Sequence, residues 1–276
     1  HTLPRFEGAN RIQSDRKPIV CTSEKGVGMS QETQDNAVSQ ASEAPELVNS
    51  VIETAIDHFA ELGFEEAKIE AIAKDSGMSK RMIHYHFGDK KGLYVQALTH
   101  AMSQLAVPDS ELELDTSIPV EGVRKLIDAA YAQFVAYPNA ARLLTRDSLA
   151  SHIDLKDRPP LYDCTAMMLY LDRLLMLGQD AGAFRPGITS EDVYTLMASI
   201  MFFRQTNADM MTNAFGVAPD SEENVSGVHR LLVDTILAFL TSNIPNSGQS
   251  SYLLSKRSNP QPDEGDEGFG ELIEMA

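Results

Sequence analysis

The chain has 276 residues, 43% of them hydrophobic, and a formal net charge of -17, which suits one or two folded domains and argues against diffuse nucleic-acid binding over the whole surface. No run approaches the roughly 18 apolar residues that a membrane span needs, so no membrane role is expected. Two cysteines, Cys21 and Cys164, exclude a disulfide framework and lack the spaced Cys/His partners of a zinc site, so a reducing, cytoplasmic setting is expected.

Along the chain, the first residues lack the apolar core of a signal peptide, and MSQETQ at Met29 reads as a natural start. Residues 1–44 are expected to be a flexible N-terminal arm, or in part sequence ahead of the natural protein. Residues 29–44 are rich in Ser, Gln, Glu and Ala and poor in large apolar side chains. ELVNSVIETAIDHFAELG then places Leu47, Val51, Ile52, Ala55, Ile56, Phe59 and Leu62 on one stripe and stops at Gly63. KIEAIAKDSG predicts a short second helix with Ile69, Ile72 and Ala73 inward and Gly77 at its end. Ser79 is placed to cap a third helix, MSKRMIHYHF, and Asp89 to start a fourth, GDKKGLYVQALTHAMSQL. These make a DNA-binding domain over 45–105. Residues 106–118 read as an acidic linker, and Pro119 suits the first turn of a new helix.

Further helices are predicted at about 119–136, 138–152, 159–181, 190–214 and 224–242, and period-two alternation is nowhere sustained. The expected fold is all-α: an N-terminal three-helix helix-turn-helix DNA-binding domain plus a C-terminal helical domain over 119–244, whose ligand-binding and dimerisation roles are implied only by the family that the N-terminal domain resembles. Residues 245–276 read as a disordered acidic tail.

The second and third helices, joined by DSGMS, form a helix-turn-helix whose second member enters the major groove. Ile83 and Phe87, four apart, would hold that helix inward, leaving Lys80, Arg81, Met82, His84 and Tyr85 outward. Lys80 and Arg81 suit guanine O6 and N7, Met82 a thymine methyl, and His84 and Tyr85 phosphates. Lys90 stands at a helix start that favours phosphate, and Lys68 could clamp the backbone near the second helix. Over residues 68–91 six Lys and Arg face three carboxylates, Glu70, Asp75 and Asp89. This is a local positive face on an acidic body.

The run GFEEAKIEAIAKDSGMSKRMIHYHFGDKKGLY resembles the DNA-binding segment of the TetR family of bacterial transcriptional regulators. Gly63, Phe64, Ile72, Ala73, Gly77, Ser79, Tyr85, His86, Phe87, Lys90 and Leu93 match the family's pattern. The resemblance implies base or phosphate contact by Lys80, Arg81, Met82, His84, Tyr85, His86 and Lys90. Three positions depart from the pattern: His84 stands for a common Tyr, Ala67 for a capping Thr and Glu70 for an Arg that often touches DNA. The resemblance also implies a homodimer on double-stranded operator DNA, released by a small-molecule effector bound in the C-terminal helices, usually as a repressor.

The helices over 190–214 and 224–242, the latter with a Val228, Leu231, Leu232, Thr235, Ile236 and Phe239 stripe, are the dimer candidates. Polar groups stranded among apolar ones nominate a ligand pocket: Arg142, Arg146, Asp147 and His152, then Tyr170 and Arg173, then Phe202, Phe203, Arg204 and Asn207. A small aromatic or hydroxylated compound, oriented by Arg146 and Asp147, is the expected ligand. No G-x-S-x-G elbow, Gly-rich phosphate loop or H-E-x-x-H pair occurs, so no enzyme, catalytic residue, cofactor or metal is expected. The alternative is a helical interaction or small-molecule-binding protein without DNA binding.

Overall fold

The first helix has to turn where Gly63 meets Phe64. α1 is assigned to Gln31–Glu66 but holds Gly63 at φ 81°, ψ 174°, a backbone that glycine alone takes without strain. The computed structural model describes residues 31–112, 118–150, 165–243 and 252–253, and among them every regular element is helical. The chain divides into two compact units, residues 1–44 and 45–276. In the first, the backbone of residues 31–44 is helical, where an arm without regular structure was expected. Gln, Glu and Ala are good helix formers even without an apolar stripe.

In the second unit the cap chemistry runs as the residues dictate. α2 (Ile69–Ser76) ends on Gly77 in the left-handed region at φ 75°. α3 (Lys80–Phe87) starts where the Ser79 side chain accepts the Met82 N–H. α4 (Lys90–Leu105) starts where the Asp89 carboxylate accepts the Gly92 N–H at 2.7 Å. A one-turn helix, α5 (Asp109–Leu112), interrupts the expected linker. α6 (Pro119–Ala136), α7 (Pro138–Ala150), α8 (Thr165–Asp180), α9 (Ser190–Thr206), α10 (Ala208–Phe215) and α11 (Glu222–Thr241) follow. The single helix expected over 190–214 is two. Asn207 leaves helical geometry between them, and its side-chain amide donates to the Phe203 carbonyl and the Thr206 hydroxyl.

One apolar core runs from α1 to α11. In the head, Val51, Ala55, Phe59, Ile72 and Ile83 are fully or almost fully buried, with Phe87 packed at the edge. The expected stripe on α1 is buried through its middle, while Leu47 and Leu62 at its ends are exposed. α4 packs extensively on α7, and α6 packs on α8 and α11. No helix among the described residues is long and apolar enough to cross a membrane.

Within the expected tail, Tyr252 and Leu253 are held against the body. Their backbone N–H groups both donate to the Asp192 carboxylate, at 3.3 and 3.0 Å. The Tyr252 hydroxyl accepts from Arg185 at 3.1 Å, and the Arg185 guanidinium lies 4.4 Å from the Phe239 ring centre. Three charge-assisted bonds and a cation–π contact of Arg185 with the Tyr252 ring, 5.9 Å to its centre, fix this short stretch.

Candidate nucleic-acid interface and ligand chamber

Ile83, only 1% exposed, pins α3 to the head and turns its opposite side to solvent. Lys80, Arg81, Met82, His84, Tyr85 and His86 are all exposed there, Tyr85 at 79%. α3 therefore leaves all the readers expected on it exposed.

Their local partners refine what each can do. Lys80 donates to the Glu70 carboxylate of α2, and this bond is the main reason the Glu70 pKa falls below its ordinary value. His84 uses Nδ1 as donor to the Gly88 carbonyl at 2.8 Å, because a carbonyl can only accept. It can donate to a phosphate only from Nε2 and only as the imidazolium. Lys90 donates to the Glu65 carbonyl at 2.9 Å with its ammonium 4.9 Å from the Phe64 ring centre, so it first secures the turn between α1 and α2. Lys68 is the exposed N-cap residue of α2, with no side-chain cap bond. Ser79 serves α3 as its cap. His86 lies edge-on to Tyr85, ring centres 5.2 Å apart.

Behind the head, α4, α6, α7, α8 and α9 line a partly open chamber of about 170 Å³. α4 lends Met102 and Leu105, α6 Phe134, α7 Leu144 and Ser148, α8 Met167, and α9 Tyr194, Met197, Ala198, Met201 and Phe202. Apart from the Ser148 and Tyr194 hydroxyls the lining side chains are apolar. Four are methionines, which adapt to irregular shapes. The Ser148 hydroxyl donates to the Leu144 carbonyl at 2.8 Å. Phe134 and Phe202 meet edge to face, centres 5.0 Å apart.

Of the residues nominated for the pocket, Phe202 lines the chamber. Asp147 is buried and accepts from Tyr94 of α4 at 3.2 Å. Arg146 donates to the Glu61 carbonyl of α1 at 2.9 Å. This pair ties α7 to the head, a use of both side chains that differs from the expected orientation of a ligand. Arg142, Arg173 and Phe203 are exposed, and Tyr170 is half-buried at the core edge. Arg204 is buried beside Tyr131 and bonds Asp220 at 3.5 Å, while Asn207 shapes the α9–α10 joint. His152 lies outside the described residues. Met102, Met167, Met197 and Met201 line the chamber; none was among the nominated residues, although the methionine content of these helices was a signal in the sequence.

An exposed basic recognition helix on a small helical head, joined to a helical body with an apolar chamber, defines a helix-turn-helix DNA-binding regulator. Residues 51–97 match the family model described as bacterial regulatory proteins, tetR family, and residues 119–236 match that of the tetracyclin repressor-like C-terminal domain. The chain belongs to the TetR family. It is 24% identical over 179 residues to the HTH-type transcriptional repressor NicS of Pseudomonas putida, covering 64% of this chain and 84% of NicS. Its fold is similar to a linker-substituted mutant of HlyIIR, with a TM-score of 0.54, 20% identity and coverage of 73% of this chain and 98% of that one. It is similar too to the FadR regulator of Bacillus subtilis, solved with stearoyl-CoA, with a TM-score of 0.53, 14% identity and coverage of 70% and 99%.

Proposed function

We propose that the chain is a homodimeric transcriptional repressor whose α3 seats in the major groove of a two-half-site operator, and which a small apolar ligand in the chamber releases. One observation carries this reading: α4 belongs to both sites. It starts at Lys90, three residues beyond the end of α3, and it walls the chamber with Met102 and Leu105. A ligand that pushes α4 outward shifts the base of the recognition helix, and the Tyr94–Asp147 bond couples that motion to α7.

The size of the chamber suits a single aromatic ring or a short branched chain, with Ser148 and Tyr194 able to meet one hydroxyl. Dimerisation is read from α9, α10 and α11, where Phe203, Met210, Phe215 and Leu231 leave large apolar surface in water. The two-fold axis of such a dimer sets two recognition helices on half-sites about one helical turn or more apart. Binding to DNA places the protein in the cytoplasm, and regulation of this kind calls for no catalytic group.

Gel-shift titration against DNA flanking the protein's own coding sequence, at two salt concentrations and with a panel of small aromatic compounds, tests the reading. A selective shift that weakens steeply with salt and is abolished by one compound is the expected result. A folded dimer that shifts no duplex selectively would favour a helical binder without DNA.

A further inference from the structure

The reading face carries a negative charge that a phosphate-binding surface should not want. Glu70 stands in the first turn of α2, exposed, and its carboxylate accepts from the ammonium of Lys80, the first residue of the recognition helix. Lys68, the N-cap residue of α2, adds to the positive field around it. Both members of the pair are more than half exposed, at 51% for Lys80 and 64% for Glu70. The pair is therefore open to solvent at the start of the recognition helix.

We infer that Glu70 and Lys80 act as one specificity unit, which reads a G·C base pair and rejects contact with phosphate alone. The inference rests on the proposed seating of α3 in the major groove. Its physical basis is the donor count of lysine: the ammonium has three N–H donors, so it can keep its bond to Glu70 and still donate to guanine O6 or N7. The free lone pairs of Glu70 then suit the N4–H of the paired cytosine, which is the acidic side chain's natural base contact. A phosphate offers no such arrangement. Moving Lys80 onto a phosphate leaves the Glu70 carboxylate unpaired beside a polyanion, and keeping the pair intact leaves a carboxylate facing the phosphate. The unit thus penalises non-specific binding, which is phosphate binding, while tolerating one class of base pair.

Enrichment of binding duplexes from a random pool tests this with the full-length wild type, Glu70→Gln, Lys80→Ala and the double variant, their folds checked by circular dichroism. Affinity for a scrambled duplex is measured alongside at several salt concentrations. Wild type is expected to enrich a motif with an invariant G·C pair in each half-site. Glu70→Gln should lose the preference at that pair by roughly tenfold or more. It should also bind the scrambled duplex roughly five- to tenfold more tightly near 0.1 M salt, with a salt dependence steeper by about one phosphate. Lys80→Ala should lose the same base preference without gaining non-specific affinity, and the double variant should fall short of the sum of the singles.

A folded Glu70→Gln that enriches the wild-type motif with unchanged non-specific affinity overturns the inference. So does a uniform loss of binding to all sequences, since that is what a merely structural glutamate would give. A wild type that enriches no motif overturns the groove-seating reading itself, and the inference with it, and is recognised in the wild-type arm alone.

Discussion

Tyr131 joins α6 to α11, donating its hydroxyl to the Val225 carbonyl at 2.8 Å and lying 5.1 Å, centre to centre, from the His229 ring, which in turn bonds Asp128. Burial raises its pKa above the ordinary value of 10.0, against a smaller opposing pull from Arg204. A raised folded-state value means that stability is intact below about pH 10 and is lost as pH rises from there through the folded value. Denaturant midpoints measured from pH 8 to 11 should fall at the alkaline end. Tyr131→Phe should lose about 1 kcal/mol at neutral pH, for the missing hydrogen bond, yet decline less steeply above pH 10. At this scale the sequence showed which side chains α3 exposes, because Ile83 and Phe87 leave few choices. It concealed what they touch before DNA arrives: Lys80 with Glu70 is a contact between residues ten apart, and Lys90 with the Glu65 carbonyl spans a turn whose shape no pattern encodes.

The bounds of α2, α3 and α4 were legible nearly to the residue, since Gly77, Ser79 and Asp89 are punctuation with a mechanism. The turn between α2 and α3 makes a direct case. Gly77 sits at φ 75° and a methyl added there would meet nothing within 4 Å, so Gly77→Ala tests backbone strain alone. The expected cost is about 1–2 kcal/mol of stability, measured by denaturant unfolding, with the same operator preference in the population that remains folded. Boundaries failed where the cause was a side chain bonding its own backbone, as at Asn207, or where a single turn such as α5 offers too few residues to show a period. The helix expected over 159–181 is described as α8 from Thr165 to Asp180, and residues 151–164 lie outside those described.

At the scale of the whole molecule, the proposed function needs a relay from chamber to groove. Phe59, Phe64 and Tyr94 form a ring cluster with centres 4.9 to 6.2 Å apart in the head, and the hydroxyl of Tyr94 continues it to Asp147 on α7. Filling the chamber should therefore separate binding from release. Ala198→Leu adds volume at the chamber wall, and the expected outcome is unchanged operator affinity, an equal or higher melting temperature, and loss of the ligand's ability to free DNA. Release that persists at the wild-type ligand concentration would place the effector elsewhere. The position of this chamber was not readable from one chain, because five helices contribute a few residues each and only their packing brings them together.

Such a chamber also bears on the heat of binding. A pocket walled by four methionines, Phe134 and Phe202 takes apolar surface of its ligand out of water, and burial of that kind gives binding a negative heat-capacity change. Titration calorimetry at several temperatures should therefore show a binding enthalpy that grows more favourable on warming.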